Sequence, residues 1–418
     1  MLGIPMDSEL KNVRFSLPAT EREDFPKDYD SMTKYLANVF QEKTKGNEQP
    51  YNELLHIISQ SPTSPQRISK LQVKLLVQAL SLFVSSLNHK MQSLVNAILQ
   101  MDWLDQEQNF ISMYLHLVQN IVSAQSSYVV PVTQTIVQYI RTGQKKYPNI
   151  PLSILFEQIH SALAKILRLI PAGPSFILPI LSKSVPHKSE PLSSISFYVK
   201  SLLSIAEYAP VIRVQLMEII IDLVIDIQIE DIEDELENEN VFAMDDFEVE
   251  HNVQSEDSDS DSDASSQIIT SDYKVMITKL DTVMQLAISY ISNIKKLDDQ
   301  NLLNETFFGI LSSFDKIMLP THKLRSAQFI VFYTSSLIPE YPEEFMGLLV
   351  THLLNVSSSS VLRESAASYL GSFIARAKHV GVVSVKHCLK LLNQLCQSYI
   401  DSYEHELVGQ LQVRLALT

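Results

Sequence analysis

Glycine is scarce in this chain: 9 residues in 418, against an average of about 7% in globular proteins. A chain this poor in glycine lacks the tight turns that sheets use and has no glycine-rich loop to cradle a phosphate. Both deficits point to helices and away from nucleotide enzymes. Cysteine is rarer still, with only Cys388 and Cys396. On a helix they stand two turns apart, beyond disulfide reach, so they read as two buried thiols of a reducing compartment. No cationic, apolar leader opens the chain; Met1 to Glu9 is short and carries two acids. The uncharged stretch from Asn109 to Ile140 is long enough to cross a bilayer, but His116, Asn120, Gln125, Pro131 and Gln134 make it too polar. The expectation is a soluble protein with no membrane contact. Walker loop, dinucleotide fingerprint, zincin helix and nucleophile elbow are all missing. His379, His387, Cys388 and Cys396 are too spread out to converge on one metal. Neither catalysis nor a cofactor is expected.

Positive charge is also missing, over one long interval. No lysine or arginine occurs between Arg213 and Lys274, while residues 214–273 hold 20 of the 48 acids. The net charge of −15 therefore belongs to one segment, and the rest of the chain sets 33 bases against 28 acids.

What is abundant is apolar periodicity. Leu152, Leu155, Ile159, Leu163, Ile166, Leu167 and Ile170 recur at steps of three and four, the spacing of one stripe on a helix. Pro151-Leu152-Ser153 returns as Pro191-Leu192-Ser193, an offset of 40 that carries the stripe onto Leu192, Ile195, Val199, Leu203 and Ala206. A period near 40 built of paired helices is the mark of HEAT and armadillo arrays. The chain divides into a flexible N-terminus (1–26), a helical-repeat block (27–229), an acidic, serine-rich disordered loop (230–272), a second block (273–403) and an atypical end (404–418). Prolines 320, 339 and 342 mark turns in the second block, with Pro320 placed to start a helix. The fold class expected is all-α, a HEAT-like helical-repeat solenoid with a disordered acidic insertion.

Two features carry possible chemistry. Lys323, Arg325, Arg363, Arg376, Lys378, Lys386 and Lys390 gather in the last helical block. They form either an electrostatic patch for an acidic protein or nucleic acid, or an ordinary solvated face. No aromatics interleave them to stack bases, which argues against direct sequence-specific nucleic-acid binding. In the acidic segment, Ser258 and Ser260 each have an aspartate at +3 (Asp261 and Asp263), the pattern an acid-directed kinase uses.

The stretch Ser368-Tyr369-Leu370-Gly371-Ser372-Phe373-Ile374-Ala375-Arg376-Ala377-Lys378 resembles the signature of the RNA polymerase I-specific transcription initiation factor family (transcription initiation factor IA). Leu319-Pro320-Thr321-His322 with Gln328-Phe329, and Lys279-Leu280-Asp281, are similar to further blocks of it. The resemblance covers about residues 65–403. It implies a HEAT-repeat protein of the nucleus and nucleolus that binds RNA polymerase I near its stalk and then contacts the promoter-bound core factor to start rRNA synthesis. It implies docking through a serine patch, which falls here at Ser81, Ser123, Ser126 and Ser175, and which phosphorylation would block. Ala124, Ala172 and Gly173 stand where hydroxyls are expected. Pro320, Thr321, His322, Gly371, Arg376 and Lys378 are the signature residues carried over.

Members of that family continue past the point where this chain stops, and Glu404 to Thr418 matches none of their sequence blocks. A shortened or unusual form is the expectation. The alternatives are a generic helical-repeat scaffold or a nuclear transport receptor, and an enzyme with a cryptic helical site. The proteins recovered with it from extract separate these readings.

Overall fold

The computed structural model describes residues 25–60, 64, 68–170, 173–237, 263–321, 324–355 and 357–416. Among the described residues there are sixteen α-helices and no strand. The chain packs as two compact units, residues 1–184 and 185–418.

The first unit holds α1 (Tyr29–Thr44), α2 (Gln49–Ile58), α3 (Lys70–Leu80), α4 (Gln92–Leu99), α5 (Gln108–Ala124), α6 (Val129–Lys146), α7 (Leu152–Leu169) and α8 (Gly173–Lys183). Local chemistry sets their starts. The Asp28 carboxylate accepts the Ser31 N–H at 2.9 Å ahead of α1. Ser69 and Gln72 form a reciprocal capping box on α3, and the Gln72 amide donates on to the Phe25 carbonyl at 3.1 Å. Odd helices pack in series, α1 on α3, α3 on α5 and α5 on α7; even helices do the same, α2 on α4, α4 on α6 and α6 on α8. Two layers result, with the apolar stripes between them. The chain runs one way in one layer and back in the other. Odd-to-even turns therefore line one edge and even-to-odd turns the opposite edge. Two hydrogen bonds fix this register. The Tyr128 hydroxyl donates to the Asn88 carbonyl at 2.6 Å, joining two odd-to-even turns. On the other edge Tyr147 donates to Asp102 at 2.9 Å, and Lys146 pairs with the same carboxylate at 2.7 Å.

The second unit holds α9 (Leu192–Tyr208), α10 (Arg213–Glu237), α11 (Asp263–Lys296), α12 (Gln300–Ser313), α13 (Gln328–Ser335), α14 (Tyr341–Leu354), α15 (Ser360–Arg376) and α16 (Val382–Ala416). Helices α10 and α11 extend into the segment read as a loop over 230–272, α10 to Glu237 and α11 from Asp263, and they pack on each other within this one unit. The buried Arg213 guanidinium donates to the Ala206 carbonyl at 3.2 Å and to Glu305 at 3.3 Å, joining α9, α10 and α12. Phe314, Phe332, Phe345 and Phe373 meet edge-on or tilted, with ring centroids 4.9 to 5.8 Å apart, and close the core beneath α15.

The echo at an offset of 40 is structural. Pro151 and Pro191 stand at the N-caps of α7 and α9 with φ of −54° and −56°. Leu155, Ile159, Leu163 and Ile166 are buried in one helix, and Ile195, Val199, Leu203 and Ala206 in the other. Three further details differ from the sequence expectation. Leu152 heads the first stripe but, as the first residue of α7, is 45% exposed. Pro320 starts no helix: α12 runs into a π-turn at Phe314–Met318, where the Leu319 N–H reaches back to the Phe314 carbonyl at 2.8 Å, and Pro320 follows in the turn. Of the two thiols only Cys388 is buried, against Met346, and that burial raises its pKa; Cys396 faces solvent from α16.

Candidate docking surface

Ser81, Ser123, Ser126 and Ser175, spread over almost a hundred residues of sequence, fall on the odd-to-even edge of the first unit. Ser81 stands where α3 tightens into a 3-10 turn, half-buried, its hydroxyl donating to the Val77 carbonyl at 3.2 Å. Ser123 is in the last turn of α5 and Ser126 opens the 3-10 turn after it; both are exposed. The turn after α3 packs against α5, and the Tyr128–Asn88 bond pins the two turns together. Ser175 is exposed in the first turn of α8, which packs on α6 and α7. A Cβ at Gly173 would lie 2.9 Å from Leu167 Cδ2, the far end of that side chain, so a small shift of the leucine would admit a serine there. Ala124 is exposed, and Ala172 lies outside the described residues.

Pro320, Thr321, Gly371, Arg376 and Lys378 lie in the second unit. Thr321 follows Pro320 and donates its hydroxyl to the Ile317 carbonyl at 2.6 Å, closing the π-turn. Gly371 and Arg376 lie on the exposed side of α15, where Arg376 donates to the Ser372 hydroxyl at 2.7 Å, and Lys378 is exposed just beyond. A Cβ on Gly371 would meet nothing within 4 Å. Among the basic residues read as a patch, Arg363 is committed internally to the Leu353 carbonyl at 3.0 Å, while Lys386 and Lys390 are exposed. His322, Lys323, Ser258 and Ser260 lie outside the described residues.

Sequence reading missed Tyr128 and Asn88, which assemble the serine edge. The only local signal was an aromatic following Ser126 and Ser127. Among the described residues no three His, Cys, Asp or Glu side chains are placed to hold a metal ion, and no helix is long and apolar enough to cross a membrane.

Comparison with known proteins bears on the whole chain. The protein is 29% identical to the RNA polymerase I-specific transcription initiation factor rrn3 of Schizosaccharomyces pombe, over 90% of this chain and 65% of that protein. It is 28% identical to RNA polymerase I-specific transcription initiation factor RRN3 of Mus musculus, over 77% of this chain and 52% of that protein. It thus spans between about half and two thirds of the length of these curated relatives. The crystal structure of RNA polymerase I transcription initiation factor Rrn3 superposes with a TM-score of 0.68 at 19% identity, over 89% of this chain and 70% of that one, which shows a shared fold. The family model for RNA polymerase I specific transcription initiation factor RRN3 matches residues 26–415, and the chain belongs to that family.

Proposed function

We propose that this protein binds RNA polymerase I, near its stalk, and bridges it to the promoter-bound core factor so that rRNA gene transcription can start. The observation that carries the reading is the family match over residues 26–415. The relatives' names specify initiation by polymerase I. The two-unit helical architecture suits an adaptor, because apolar stripes are spent between layers and the turn edges remain for partners. The first unit docks polymerase through the edge bearing Ser81, Ser123, Ser126 and Ser175. The second unit, with the Pro320-Thr321 turn and the Gly371–Lys378 stretch, is left for the core factor. No catalytic step, cofactor or sequence-specific reading of nucleic acid is assigned. The site of action is the nucleolus, where this polymerase works. An acid-directed kinase modifying Ser258 and Ser260 would add charge to the acidic segment.

The test is reconstitution. Purified chain is mixed with RNA polymerase I and then with core factor on promoter DNA. A complex with polymerase that recruits core factor is the expected result. A chain that binds neither would end the reading.

A further inference from the structure

The distribution of charge within the first unit says what kind of surface its serine edge receives. Residues 54–184 contain only four acids against ten lysines and arginines. Three of the four, Asp102, Asp105 and Glu107, stand in the α4–α5 connection on the opposite edge. The fourth, Glu157, lies in the N-terminal half of α7, towards the same opposite edge. The three serine-edge turns, residues 81–91, 122–130 and 167–178, contain no carboxylate at all. They carry exposed Lys90 and Arg168. Where the α1–α2 turn continues this edge, Glu42 and Glu48 are neutralised by Lys45 and Lys43, each pair at 2.9 Å.

The same turns expose apolar side chains that this unit leaves uncovered: Leu82 at 59%, Leu169 at 47%, Phe176 at 45% and Val130 at 36%. Leu82 adjoins Ser81, and Phe176 adjoins Ser175. Apolar anchors ringed by small hydroxyls, with cations and no anions nearby, match a protein surface that offers apolar side chains flanked by carboxylates. Nucleic acid fits worse. Two exposed cations are few beside the six to ten phosphate contacts of a typical site, and a phosphate backbone gives the leucines and phenylalanine nothing to bury against.

We infer that the serine edge docks an apolar, carboxylate-flanked protein surface of RNA polymerase I, with Leu82 and Phe176 as anchors and Lys90 and Arg168 as charge partners. This rests on the docking proposed above and gives it a chemistry. It also gives phosphorylation a physical sense: a phosphate on Ser123 or Ser126 would place dianionic charge on a turn that carries no carboxylate, facing a partner of the same sign.

The test is equilibrium binding of the purified full chain to RNA polymerase I at low and moderate salt. The variants are L82S/F176S, K90E/R168E and, on the opposite edge, I154S. Matched thermal melts identify any variant that is misfolded. Expected is about a ten-fold or greater loss for L82S/F176S at either salt. K90E/R168E should lose about ten-fold at low salt, with the gap narrowing as salt rises, and I154S should stay near wild type. Wild-type binding with both edge variants unaffected overturns the inference and the choice of this edge, and leaves binding to polymerase standing. Tighter binding by K90E/R168E overturns the acidic partner. Duplex DNA held by the wild type and lost in K90E/R168E, with polymerase binding unchanged, assigns the edge to nucleic acid instead. No wild-type binding to polymerase defeats inference and proposal together.

Discussion

The side-chain amide oxygen of Gln228, on α10, accepts the backbone N–H of Ala327 at 3.3 Å, capping the start of α13 from 99 residues away. The neighbouring Ser326 N–H bonds the same oxygen at 3.2 Å. The first N–H groups of a helix have no partner within it, and α13 has no side-chain cap of its own. Gln228 is buried, so these bonds are made away from water.

Gln228→Met keeps most of the volume and removes both the acceptor and the buried, unpartnered amide nitrogen. Loss of the acceptor outweighs relief of that one donor because two backbone N–H groups lose their partner, so the expected net cost is about 1 kcal/mol, read as a lower urea midpoint. A raised midpoint would show that the unpartnered nitrogen costs more than the cap contributes.

Two helical glycines should respond in opposite directions. A Cβ at Gly309 on α12 would lie 2.7 Å from Val214 Cγ2 on α10, so G309A should destabilise by about 1–3 kcal/mol through overpacking. Gly371 on α15 has nothing within 4 Å of that position. There G371A should stabilise by about 0.5–1 kcal/mol, since alanine loses less entropy in a helix. A G309A melt at or above wild type would contradict this reading of the α10–α12 contact, and a lowered G371A melt would contradict the open space at α15.

His160 on α7 is buried with its ring 4.2 Å from that of Phe156, and burial pushes its pKa down to about 4. The unfolded chain titrates this group near 6.5. Below that pH the unfolded state binds a proton that the folded state refuses. The stabilisation is therefore full above about pH 6.5 and is lost progressively as pH falls towards 4, by roughly 3 kcal/mol for a shift of this size. Chemical denaturation at pH 7.5 and 4.5 should show the decline in wild type and a smaller one in His160→Leu. Parallel declines in both would assign the effect to other groups.

Ser123 is exposed at the end of α5, in a turn that contains no carboxylate. Ser123→Asp should weaken binding to RNA polymerase I roughly ten-fold relative to Ser123→Ala, corresponding to about 1.4 kcal/mol of repulsion and desolvation. Equal affinities would remove Ser123 from the docking surface.

The sequence alone determined the helices, the apolar stripes that bury Leu155, Ile159 and Leu163, and the spacing of 40 between two proline-headed repeats. Each is written within a few turns of chain, because helical period and capping are local properties. Tertiary packing alone decided that Ser81, Ser123, Ser126 and Ser175 share an edge, that Gln228 caps a distant helix, and that Leu152 and Cys396 face solvent. Those outcomes depend on which helices stack and in which direction the chain returns. A 3.6-residue period carries no information on either.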